Sequence, residues 1–98
     1  MNLPVLLRRL AQAEFDDAAD WHEAQRAGRG AAFTAAVRQV LEDIQARPEA
    51  HPEVYGEIRE ALVARYPYAV YYRPESGQIT VLAVFHTSRD PAEWHRRA

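Results

Sequence analysis

Residues 68–85, YAVYYRPESGQITVLAVF, decide the fold. Tyr68 to Arg73 and Gln78 to Phe85 are rich in β-branched and aromatic residues, and the turn between them, Pro74-Glu75-Ser76-Gly77, is too short for anything but an antiparallel return. Working back, Glu57 to Val63 has the same character and reaches Tyr68 through a second short turn, Ala64 to Pro67. Three strands therefore form a meander. Ile79 to Phe85 is apolar on both alternating sets, which predicts the best-buried strand, with helices over one face and another cover over part of the other. The candidate for that second cover is the tail from Asp90 to Arg97, anchored by Trp94. Alternation along Tyr68 to Arg73 puts Tyr68 and Tyr72 on one face and Tyr71 on the other, with Ala69 and Arg73.

Upstream of the meander the period changes. Leu3 to Leu10 is short, apolar and contains Pro4, which predicts a strand at a sheet edge. From about Gln12 to Ala27, Phe15, Ala18, Ala19 and His22 recur at helical spacing, with the acids toward the N-terminal half, where they complement a helix dipole. Gly28-Arg29-Gly30 breaks that pattern as a turn. A second stripe, Phe33, Ala36, Val37, Val40, Leu41 and Ile44, runs on until Pro48 ends it, and Pro48 to Gly56 is a loop by its prolines. The expected order is β-α-α-β-β-β. It is an α+β fold in which an N-terminal strand and an antiparallel helix hairpin join a small, mainly antiparallel sheet, with a short helical tail at the C-terminus.

Ninety-eight residues suffice for one core, so residues 1–98 are read as a single domain. The absence of cysteine excludes disulfides, thiolate zinc sites and cysteine nucleophiles, and fits a reducing compartment. The apolar run at the N-terminus is too short for a signal peptide core or a membrane span, so the expected location is cytoplasmic, with no membrane partner. All the basic side chains are arginine. Residues 1–57 carry six of them against ten acids, and residues 58–98 six against four, so an anionic ligand belongs on the C-terminal half. His22, His51 and His95 show no metal-ligand spacing, and no metal or cofactor is expected.

Chemistry concentrates after the last strand, in Val84 to Trp94, VFHTSRDPAEW. As a structural lock, Arg89 or Arg96 pairs with Asp90 or Glu93, Asp90 caps a helix that Pro91 starts, and Trp94 covers the sheet. As a reaction centre, His86 serves as acid or base for attack of a ribose hydroxyl on phosphate, with Arg65, Arg73 and Arg89 as phosphate clamps.

The order of elements resembles the RelE/ParE superfamily of type II toxin-antitoxin toxins. The residues resemble its ParE-like branch: Phe33 with its apolar helix and Pro48, Arg59 on the first meander strand, RYPYAVYYR at 65–73, and VFHTSRDP at 84–91 followed by Trp94 and Arg96. This resemblance spans nearly the whole chain. It implies a bacterial toxin neutralised by a cognate antitoxin, ParD-like or similar, with operator DNA bound only through the antitoxin. ParE-like members poison DNA gyrase, a protein target, so Arg59, Tyr71, Trp94 and Arg96 are candidates for an antitoxin or target interface. RelE-like members instead cut mRNA on the ribosome, which would assign catalysis to His86, Arg65, Arg73 and Arg89. The slightly acidic balance, the missing lysines and a tryptophan in place of a C-terminal tyrosine depart from that nuclease branch.

Overall fold

The computed structural model describes residues 3–98. Its elements are β1 (Val5–Leu7), α1 (Arg9–Gln25), α2 (Arg29–Ala46), β2 (Glu53–Tyr55), β3 (Ile58–Leu62), β4 (Tyr68–Glu75), β5 (Gln78–His86) and α3 (Ala92–His95). They build one five-stranded sheet of order β1-β5-β4-β3-β2, parallel between β1 and β5 and antiparallel elsewhere. No helix among the described residues is long and apolar enough to cross a membrane.

The α+β reading, the helix hairpin, the three-strand meander and the helical tail all stand in the structure. The faces of β5 are set by a bulge. Tyr71 opposes Ala83 and Tyr72 opposes Val81, so Leu82 is an extra residue in β5. Ile79, Val81 and Val84 therefore join Phe15, Phe33, Val37, Ile44 and Tyr72 in the core beneath the helices. Leu82, Ala83 and Phe85 turn to the other face with Ile58, Tyr71 and Trp94. Without the bulge, Val81 and Ala83 would share a face and Phe85 would point under the helices.

Four sequence expectations are corrected. The first strand is only Val5–Leu7 rather than Leu3 to Leu10; its last ladder bond is Arg8 N–H to Val81 C=O, and α1 starts at Arg9, so its first turn holds no acid. The interhelical break lies at Arg26 to Gly28, and Gly30 is inside α2. Gly28 takes the left-handed conformation (φ 91°), while a Cβ on Gly30 would lie 2.9 Å from the Ala19 carbonyl oxygen of α1. Glu23 closes this corner by accepting from the N–H groups of Gly28 and Gly30, which serves the exposed start of α2. The proline loop contains β2, a strand exposed at all three positions, which alternation therefore does not reveal. It is pinned by Arg59, which donates to the Glu49 and His51 carbonyls at 3.0 and 2.6 Å, and by Glu60 N–H to Pro52 C=O at 3.0 Å. The turn expected over Pro74 to Gly77 is only Ser76-Gly77, because Pro74 and Glu75 pair with Ile79 and Gln78 in the β4–β5 ladder. Of the tail pairings expected for Arg89 or Arg96, the one between Arg89 and Glu93 forms, and Arg97 adds a pair with Glu14.

Candidate functional site

Because β1 covers β5 only as far as Val81, the outer edge of β5 from Leu82 onward would be bare. Two residues from opposite ends of the chain fill most of it. Glu14 of α1 accepts from Val84 N–H at 3.1 Å, and Arg97 of the tail donates to Leu82 C=O at 3.1 Å. Arg97 also grips the Glu14 carboxylate through both terminal nitrogens, at 2.8 and 2.9 Å, and Arg89 donates to Glu14 at 2.9 Å. Glu14, with only 14% of its side chain exposed, is thus the hub that ties helix, sheet and tail together.

The residues expected to form a nuclease centre do not surround one point. His86 ends β5 with its ring edge-on to Tyr68 at 5.1 Å. Its Nδ1 accepts from Ser88 N–H at 3.0 Å and lies 2.7 Å from the Ser88 hydroxyl, so a neutral ring carries its proton on Nε2. Arg89 lies over the Phe85 ring at 4.2 Å and is held by Glu14 and Glu93. Burial works against the Arg89 charge, but hydrogen bonds to Glu93 and Glu14 outweigh it and raise the guanidinium above its ordinary value. Its charge is already matched by two carboxylates. Arg73 pairs with Glu75 at 3.5 Å; it sits five residues along β4 from Tyr68, about 17 Å away at strand spacing, and on the opposite face. Arg65 is exposed in the β3–β4 turn at φ 72°, beside the groove that α2 forms with Leu62 and Tyr66.

The interface candidates also separate. Arg59 is spent on the β2 loop, with a longer pairing to Glu53 at 3.8 Å. Tyr71 and Trp94 bury each other, stacked at 4.0 Å and 16°. Burial, then the hydrogen bond to Glu60 at 2.8 Å, pushes the Tyr71 phenol far above its ordinary range. Asp90 accepts from Ala92 N–H at 3.0 Å across Pro91, the N-cap of α3, and so ties the start of the tail helix. Of the four, Arg96 alone is exposed.

What the fold does assemble is a groove between α1 and the end of β5. Glu14, Asp17, Ala18 and Trp21 recur at helical spacing along one wall, and Tyr68, Val84, His86 and Arg89 form the other, around a space of about 280 Å³. A second space of about 410 Å³ continues it, lined by Trp21, His22, Pro67, Tyr68 and His86. Burial raises the Tyr68 phenol and the nearby Arg89 charge opposes that rise. Trp21, 59% exposed, is a large surface aromatic in this groove that the sequence reading does not single out. Its signal was available: an indole standing off the apolar stripe of an amphipathic helix has no core to fill.

No curated protein matches the chain in sequence. A solved structure described as the chromosomal ParDE TA system from P. aeruginosa is similar in fold, with a TM-score of 0.75 over 86% of this chain and 95% of that one, at 15% sequence identity. The family model for the ParE toxin of the type II toxin-antitoxin system parDE matches residues 5–91, from β1 through the cap of α3. The chain belongs to the ParE toxin family.

Proposed function

We propose that this chain is a cytoplasmic toxin that inhibits DNA gyrase by protein contact and is held inactive by a ParD-like antitoxin. Membership of the ParE family carries the reading. The site geometry agrees with it. A phosphate placed at His86 meets one arginine already neutralised by Glu14 and Glu93, while Arg65 and Arg73 lie elsewhere. Charge stabilisation in phosphoryl transfer needs preorganised, uncommitted cations around the reacting group. Nothing in this arrangement favours the RelE-like alternative. A protein-binding toxin needs instead an exposed aromatic anchor beside a preformed groove, which Trp21 supplies.

Controlled induction in bacteria that carry a DNA-damage reporter, with pulse-labelled protein synthesis followed in the same culture, tests the reading. Filamentation and reporter induction while translation continues are expected. Immediate translation arrest without the reporter would replace it with the mRNA-cleaving one.

A further inference from the structure

We propose that this chain pairs with a second copy of itself through the exposed flank of α1, the two helices antiparallel and Trp21 of each copy seated against Arg9 and Leu10 of the other. One helix carries both halves of that contact.

α1 buries Ala11, Phe15 and Ala18 and leaves Leu10, Ala13, Asp17, Asp20, Trp21 and Ala24 exposed. Leu10 and Trp21, 55% and 59% exposed, are among the largest apolar side chains left in water. Eleven residues separate Leu10 from Trp21, and the same step separates Arg9 from Asp20. That step is about three helical turns, so each pair stands on one side of the helix, its members about 17 Å apart. A two-fold axis perpendicular to an antiparallel helix pair brings the two ends of such a step together twice. Trp21 of one copy meets Leu10 of the other along one edge of the seam, and Asp20 meets Arg9 along the other edge. Ala13, between them, is small enough to let the helix axes approach.

Charge complementarity selects a second copy as the occupant. Residues 16–23 hold Asp16, Asp17, Asp20 and Glu23 and no arginine, while Arg8 and Arg9 open the helix with no acid in its first turn. The helix dipole opposes cations at that end, and among the described residues neither arginine has an ion-pair partner. The receiving end is also shaped for an indole. Arg8, Arg9, Leu10, Leu82 and Arg97 line an open hollow of about 430 Å³, with the leucines as an apolar floor. Guanidinium groups at its rim favour the face of a tryptophan. A bare anion would leave Leu10 and Trp21 in water, and a purely apolar partner would leave the arginines unmatched. The second copy brings Asp20 and Trp21 side by side. An antiparallel pair of helices this short makes a small interface, so the dimer is reversible and micromolar. It covers Trp21, and a partner that binds there must separate the copies.

Sedimentation velocity of the full chain over a concentration series tests the pairing. A monomer–dimer equilibrium in the micromolar range is expected, and a chain that stays monomeric to about 0.5 mM would overturn the proposal. Trp21→Ala should weaken the dimer about tenfold or more, as the loss of a central aromatic contact does. Arg9→Asp and Asp20→Arg should each weaken it about tenfold, because each sets like charges against each other at both ends of the seam. The double variant should return to within about threefold of the wild type. All three positions are exposed, and the charge swap moves each sign to the helix end that favours it, so melting temperatures of the dilute variants should be no lower than that of the wild type. A dimer that ignores Trp21→Ala, or a double variant as weak as its parents, would overturn the antiparallel α1 contact.

Discussion

One face of the sheet is covered by α1 and α2, helices of 17 and 18 residues, and the other by α3, a helix of four. Under the long helices the closure is distributed: Phe15, Phe33, Val37, Val40 and Ile44 recur at helical spacing and each removes apolar surface from water. Under the tail it is concentrated. Trp94 stacks on Tyr71, Tyr55 stacks on His95 at 4.0 Å, and the Glu14 hub holds Arg97 in place. The difference teaches that a four-residue helix covers a sheet only when contacts distant in sequence hold it, because a helix so short has no stability of its own. The contrast predicts that the first face unfolds with the cooperative core and that the tail over the second opens as a separately latched lid.

Removing a residue from each face tests that contrast. Phe33→Ala empties the fully buried meeting point of both helices and β4, and should cost about 3–5 kcal/mol, a large part of the stability of a domain this size, with every probe of unfolding moving together in denaturant melts. Trp94→Ala should cost about 3 kcal/mol, with a local signature. Hydrogen exchange should then speed up in α3 while α1 and α2 keep their protection; equal loss everywhere would make the lid part of the core.

Glu14→Gln sharpens the contrast further. It keeps the volume and removes the charge that Arg89 and Arg97 share, at an expected cost of about 2 kcal/mol. Trypsin should cleave the tail at its arginines faster than in the wild type, before the rest of the chain opens. Unchanged tail cleavage would show that the aromatic stack alone holds the lid.

The smallest effect belongs to Tyr72, on the helix face, whose hydroxyl donates to the Pro48 carbonyl at 2.7 Å. Tyr72→Phe should cost about 1 kcal/mol. Burial, partly opposed by Arg59, pushes this phenol up to about 12. Its folded value exceeds that of the unfolded chain, so its contribution is intact below pH ~10 and is lost as pH rises from there toward its folded value. Alkaline melts should be steeper for the wild type than for Tyr72→Phe; identical slopes would assign the alkaline loss to another group.

The same division decides what was legible in the sequence. The helix stripes, the Pro48 stop and the order of the meander strands are local patterns, and the structure holds them, with the last turn shortened to Ser76-Gly77. What escaped was non-local or set by one residue. The Leu82 bulge reassigns the faces of β5 without leaving a trace in a strand that is apolar on both sides. Gly30 reads as a turn glycine until the Ala19 carbonyl of the neighbouring helix is seen against it. The β2 strand carries no burial pattern at all. At the site, Trp94 and Asp90 were readable as a lock, but Glu14 and Arg97 stand 83 positions apart and nothing local marks them as partners. Residue type alone offered His86, Arg65, Arg73 and Arg89 as a set, and only the register of β4 and the turn before it separates them.

The most direct test of the account is a supercoiling assay with purified DNA gyrase and this protein at micromolar excess, run beside a ribosome-programmed mRNA cleavage assay. Inhibited supercoiling with intact mRNA is the predicted result. Untouched supercoiling with cleaved mRNA would contradict a toxin that works by protein contact.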